Sequence, residues 1–220
     1  MSNFIVWRHL APKPCNEEAV LKTLAAVVQH ARTDREAVVG IWVWQQVADD
    51  STGVLPWVYG ETQHRPFTGE LPAIMIQEIY RSEPDYRAFS ESAAYVSNVV
   101  EFKTLLREPP KEQNLTPATG FSFRPNSPYS TTEDLYVVAA RIQYNPGTVP
   151  AGVNCWKTVT SFVEQSEKEG TLGYNFVMDA ADPSALYSLE VYRDLAAFDV
   201  HKIRTGLTIR VFKQVASSFD

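Results

Sequence analysis

Residues 170–202 read GTLGYNFVMDAADPSALYSLEVYRDLAAFDVHK. Leu172–Met178 and Ala185–Tyr192 are runs of aliphatic and aromatic residues, separated by a short segment around Asp182-Pro183. That composition predicts two antiparallel strands joined by a turn. A helix is predicted to follow, with an apolar stripe of Val200, Ile203, Leu207, Val211 and Val215 at helical spacing.

The same order of signals stands earlier in the chain. Gly40 opens GIWVW as Gly173 opens GYNFV, and Glu78-Ile79-Tyr80-Arg81 matches Glu190-Val191-Tyr192-Arg193. Ala88-Phe89 follows the first and Ala197-Phe198 the second, while FIVWRHL near residue 4 matches LYVVAARIQY near residue 135. Four segments in one order mark an internal repeat. Gly40 and Gly173 are 133 positions apart and Tyr80 and Tyr192 are 112 apart, so the first copy carries 21 extra residues, at roughly 49–71.

Upstream of each hairpin, Phe4–Leu10 and Leu135–Tyr144 are rich in β-branched and aromatic residues and predict a strand. A helix follows in each half. Its stripe is Val20, Leu24, Val27, Val28 and Ala31 in one, with Asn16 placed to cap it, and Val153, Trp156, Val159 and Val163 in the other. In the first half, Val38–Val47 and Ala73–Tyr80 are the paired strands, and Phe89, Val96, Val100 and Leu106 stripe the closing helix. Strand–helix–strand–strand–helix is the split βαβ, ferredoxin-like order. The expected fold is therefore α+β, with two ferredoxin-like repeats at 1–107 and 134–220 and a Pro-rich, mostly irregular linker over 108–133. Each sheet bears helices on one face only, so the two bare faces are expected to pack together as a barrel-like pseudo-dimer within one chain.

Composition bounds the function. The chain has 220 residues, 20 Lys and Arg against 26 Asp and Glu, and a formal charge of −6. A nucleic-acid or anionic-membrane surface wants the opposite balance. No apolar run is long enough to span a bilayer, and the first residues do not form a signal peptide, so a cytoplasmic protein is expected. Two cysteines, Cys15 and Cys155, make no framework, and the four histidines lack metal-ligand spacing. No Gly-x-Gly-x-x-Gly, P-loop or Gly-x-Ser-x-Gly is present.

The Gly173-x-x-Phe176 strand, the Asp-Pro hairpin, Glu190-x-Tyr192-x-Asp194 and Ala-Ala-Phe followed by His201 resemble the antibiotic biosynthesis monooxygenase family of the dimeric α/β barrel superfamily. The second half matches over about 133–220, and the first over about 3–107 in the same order, with Ser92 near where His201 falls. The resemblance implies oxidation of phenolic, quinol or polyketide substrates by O2 without metal or flavin, hence no cofactor. It also implies an aromatic ligand contact at Tyr80 or Tyr192. Where aromatic-oxidising relatives carry an asparagine on that strand, this chain has Ile76 and Ser188. Other superfamily members isomerise, dehydrate, cyclise or bind haem, so a non-oxidative catalyst, a hydrophobic-ligand carrier and a haem protein are the competing readings.

Strand alternation sorts the candidate residues. Ile74, Ile76, Glu78 and Tyr80 share one face, and Leu186, Ser188, Glu190 and Tyr192 the equivalent face. These faces are expected to line the enclosed cavity, where a buried Glu78 or Glu190 acts as a base of raised pKa. His201 is a second base candidate. Arg8, with Arg141 as its match in the second half, is the expected anion partner. Trp7, Trp42 and Trp44 are read as core or as the wall of a flat apolar ligand, and Trp57 lies in the insertion, read as a lid. The expected partner is a hydrophobic small molecule, an aromatic polyketide or quinol or, second, a fatty acid or oxylipin. The chain is expected as a monomer with internal pairing or as a homodimer.

Overall fold

The computed structural model describes residues 3–34, 36–46, 74–124, 135–201 and 210–217, with backbone alone at Gln46 and 210–217. The first repeat runs β1 (Phe4–Leu10), α1 (Glu17–Thr33), β2 (Val38–Gln46), β3 (Ile74–Tyr80), α2 (Glu83–Ser90), α3 (Ala93–Leu105) and β4 (Lys111–Phe121). The second runs β5 (Tyr136–Gln143), α4 (Val149–Ser166), β6 (Thr171–Asp179), β7 (Ala185–Tyr192), α5 (Leu195–His201) and β8 (Arg210–Ser217). The strands close into one antiparallel barrel in the order β1-β3-β2-β8-β5-β7-β6-β4. Within it each repeat keeps the ferredoxin-like order, β4-β1-β3-β2 and β8-β5-β7-β6. The fourth strand of each repeat pairs on one side with its own first strand and on the other with the partner repeat, β4 with β6 and β8 with β2. Among the described strands no edge is left open, which removes the usual site of unwanted strand pairing.

Those two closing strands correct the expectations from sequence. The stretch read as irregular linker holds β4 over 111–121. Of its side chains only Leu115 is fully buried, so apolar alternation is missing. Pro117 sits where the β4–β6 register shifts, a place that spares a ladder hydrogen bond. Gly120, at φ +94, brings its backbone so close to Tyr174 that an added Cβ would lie 2.1 Å from the Tyr174 carbonyl oxygen. At the other end, the helix expected to run through Val215 is described over Leu195–His201, and residues 210–217, expected in its last turns, are β8. A spacing of four places Val211 and Val215 on one face of a strand as well as of a helix.

The closing helix of the first half also divides. Ser82 and Ser92 each accept a backbone N–H three residues on, at 3.3 Å, and so start α2 and α3 separately. Phe89, Tyr95, Phe102 and Leu106 are buried, whereas Val96 and Val100, expected in the stripe, face solvent. The α1 stripe is buried as expected. Asn16 does precede α1, but its side chain makes no cap bond and instead reaches the Leu105 carbonyl.

Three apolar layers result. One joins strand residues of both repeats and no helix, and is the barrel lumen: Trp7, Trp42, Trp44, Met75, Leu115, Val137, Val177 and Tyr187 are among its members. A second packs α1, α2 and α3 on the outer face of the first sheet. The third packs α4 on Tyr174 and Phe176. Among the described residues no helix is long and apolar enough to cross a membrane.

Candidate active site

The two faces of the hairpin strands lie opposite to the expected way. Met75 and Ile79, and Ala185, Tyr187, Leu189 and Val191, point into the lumen. Ile74, Ile76 and Tyr80 instead belong to the helix-covered layer, and Glu78 alternates with them. The tryptophans, read as core or ligand wall, and the carboxylates, expected to line the enclosed cavity, therefore stand on opposite sides of the sheet.

In the second repeat the outer face gathers an acid–base cluster. Glu190 is 8% exposed and accepts hydrogen bonds from the Tyr192 hydroxyl at 2.7 Å and the Ser188 hydroxyl at 3.2 Å. Burial raises its pKa above the usual 4.5, against the opposing pull of those hydroxyls and of His201. His201, the last residue of α5, is 6% exposed. Its ring lies 4.8 Å from that of Tyr174 and 5.2 Å from that of Tyr192, centroid to centroid. Its Nδ1 stands 2.7 Å from Glu167 Oε2, which also accepts from the Thr171 hydroxyl at 2.7 Å. With the Glu167 carboxylate accepting from Nδ1–H, Nε2 is the ring nitrogen left to exchange a proton. That Nε2 is buried and has no hydrogen-bond partner among the described residues, and the same holds for the Tyr174 hydroxyl. Burial, then the nearby Glu190 charge, push the Tyr174 and Tyr192 phenols far above their usual range, so both stay protonated donors.

The equivalent position in the first repeat is occupied differently. Glu78 again accepts from the tyrosine two residues on, Tyr80, at 2.9 Å. Here Arg8 joins it, with Nε 3.0 Å from Glu78 Oε1, and also bonds Glu112 and the Tyr86 hydroxyl. Its guanidinium lies 5.7 Å from the centre of the Tyr95 ring. Burial is the largest single influence and opposes the Arg8 charge, but Glu78, Tyr95 and Glu112 together outweigh it, and the guanidinium pKa is raised.

Strand register decides which residues correspond. Phe4 stands opposite Tyr80 and Tyr136 opposite Tyr192, which puts Arg8 opposite Ile76 and Ala140 opposite Ser188. The counterpart of Arg8 is therefore Ala140. Arg141, expected as its match, corresponds to His9 and pairs with Asp182 at 2.6 Å near a barrel end, beside the Tyr187 hydroxyl. Among the described residues Glu190 has no lysine or arginine ion pair.

The structure thus unites His201, Tyr192, Glu190 and Ser188 at one place. It unites Tyr80, Glu78, Ile76 and Arg8 at a second, and Trp7, Trp42 and Trp44 in the lumen. Trp57 and the insertion read as a lid lie outside the described residues. Glu167, Tyr174 and Thr171 were not singled out from sequence. Glu167 is 34 positions from His201, and no local pattern links them; only the i, i+4 pair Glu167–Thr171 hints at a structured helix exit. Among the described residues no three His, Cys, Asp or Glu side chains are grouped to hold a metal ion, and both cysteines are exposed.

Comparison with known proteins bears on this half above all. The family described as antibiotic biosynthesis monooxygenase matches residues 135–204, a stretch containing Glu167, Tyr174, Glu190, Tyr192 and His201. No curated protein matches the chain. Solved structures similar over nearly the whole length include a protein proposed to be a monooxygenase from Fusobacterium nucleatum. It is 11% identical, has a TM-score of 0.77, and the match covers 98% of this chain and 94% of that one. Another, also proposed as a monooxygenase, from Lactobacillus acidophilus, is 11% identical with a TM-score of 0.70, covering 100% and 95%. An anthrone oxidase-like protein is 9% identical with a TM-score of 0.64, covering 99% and 93%. At these identities the likeness establishes a shared fold, two ferredoxin-like repeats in one chain.

Proposed function

We propose that the chain is an oxygenase that oxidises a hydrophobic aromatic substrate of polyketide or quinol type with O2, at the second-repeat cluster, using no resident metal or flavin. One observation carries this reading. Among the described residues the buried His201 Nε2 has no hydrogen-bond partner, while its Nδ1 is fixed by Glu167. A held, desolvated imidazole is a suitable base for an acidic C–H or phenolic O–H.

The chemistry follows from the groups present. A methylene activated by an adjacent aromatic carbonyl gives a proton to Nε2 and becomes an electron-rich enolate. That anion reduces O2 by one electron, and the radical pair joins to form a C–O bond. The resulting peroxide takes up a proton. Loss of the second C–H proton then breaks the O–O bond, leaving a carbonyl and one water. Glu190, kept protonated longer than an ordinary carboxylic acid, is the proton donor to the departing oxygen. The Tyr192 and Tyr174 phenols, themselves hard to ionise, stabilise developing oxygen charge by donating hydrogen bonds. The family match over this stretch and the likeness to an anthrone oxidase-like fold support the substrate class.

The test is oxygen consumption with 1,8-dihydroxyanthrone, followed by product identification. 1,8-Dihydroxyanthraquinone formed with one O2 consumed per substrate, faster than in buffer alone and dependent on His201, is the expected result. No acceleration over buffer, or turnover without oxygen uptake, overturns the proposal.

A further inference from the structure

The barrel lumen holds buried polar atoms that the acid–base site does not use. Gln77 is 1% exposed, and neither its amide nitrogen nor its oxygen has a hydrogen-bond partner among the described residues. Trp7 is 2% exposed, and its indole N–H is likewise unpaired. Across the lumen, Asn175 gives its amide N–H to Ser122 but leaves its oxygen unmatched. Buried donors and acceptors of this kind are costly unless something satisfies them.

Their placement is organised. Gln77 stands opposite Trp7 on β1 and opposite Trp42 on β2, so an indole, a carboxamide and an indole form one row across three strands. At the corresponding positions the second repeat carries Ala139, Leu189 and Asn175. One wall is thus broad, aromatic and polar at its centre, and the facing one is largely aliphatic with small members at Ala139 and Ala185. Glu190 and His201 lie on the other side of the sheet.

We propose that the lumen is a second binding site, distinct from the His201 cluster. Its ligand is a flat, uncharged aromatic bearing a hydrogen-bond donor beside a carbonyl acceptor. The carboxamide of Gln77 pairs with that edge, giving N–H to the carbonyl and accepting the donor, while Trp7 N–H supplies a further donor. Indoles on either side of Gln77 select a planar body. An uncharged ligand fits the row itself, two indoles and a carboxamide, because the nearby charges are already engaged: Arg141 pairs with Asp182 beside Tyr187, and Asp179 accepts from Gln113.

The experiment is calorimetric titration of the full chain with 2-naphthamide and with N,N-dimethyl-2-naphthamide, which keeps the ring and carbonyl but lacks the N–H donor. Wild type is expected to prefer the primary amide by about tenfold, the effect of one well-made buried hydrogen bond. Gln77→Leu, which installs the residue found at the matching position of the second repeat, is expected to erase that preference. Trp7→Phe is expected to weaken both probes, and His201→Ala to change neither. Circular dichroism on each variant confirms the fold. Absence of binding to wild type means that the orphan atoms hold water only, and overturns the proposal. Preference surviving in Gln77→Leu, or lost in His201→Ala, overturns it equally, since the site then lies elsewhere.

Discussion

Glu78 and Glu190 occupy the same position of the same motif, and each accepts a bond from the tyrosine two residues on. Yet the first is locked and the second is poised. In the first repeat, Arg8 fills the space beside the carboxylate and cancels its charge. In the second, Ala140 leaves that space without a cation, Ser188 replaces Ile76, and a histidine held by Glu167 takes the helix side. Duplication supplied two copies of one scaffold. Three exchanges, arginine against alanine, isoleucine against serine, and a histidine on the helix side, separate a buried ion pair from the proposed acid–base site.

The sharpest way to break that contrast is to remove Arg8. Arg8→Ala leaves Glu78 buried and unpaired, and the expected loss of folding stability is about 3–5 kcal/mol by chemical denaturation. Adding Glu78→Gln should recover much of it; if the double variant is no more stable than the single one, the pair is not what holds that layer. Next in size is His201→Ala, expected to lower kcat on 1,8-dihydroxyanthrone about a hundredfold with folding intact. Removing the Ser92 hydroxyl, near the equivalent place in the first repeat, should leave turnover alone. Glu167→Gln keeps an acceptor for Nδ1 but removes the charge. A loss of about tenfold in kcat with KM unchanged is expected in steady-state kinetics, partly restored by Glu167→Asp; a change in KM alone would contradict a positioning role.

The smallest effect is on pH dependence. Burial raises the Glu190 pKa, so the folded chain binds more protons than the unfolded one at pH above 4.5. Its contribution to stability is fully present below that value and declines as pH rises through the folded-state pKa. Glu190→Gln should flatten this decline in denaturation midpoints measured at successive pH values, and an unchanged slope would show that Glu190 is solvated after all.

Six of the eight strands were legible in the sequence because each carries enough apolar or aromatic residues to announce itself. The two that were not, β4 and β8, are those that close the barrel. β4 has one fully buried residue and a proline at its register shift, and its pairing partners come from both repeats. Residues 211 and 215 satisfy the helical and strand periods equally. Which face of each hairpin looks inward was likewise illegible, because both are apolar. All seven residues of β3 and all eight of β7 are buried, and alternation groups side chains without saying which group meets the helices.

The sequence by itself determined the repeat, its split βαβ order, and the Glu-x-Tyr and histidine that carry the proposed chemistry. All of these are local or recur at matching intervals along the chain. Only the tertiary structure decided that Arg8 answers to Ala140 and that Glu167 holds His201. It alone parted the tryptophans from the carboxylates. Each of those facts depends on strand register and on which sheet face receives the helices, and register joins residues that no spacing along the chain connects.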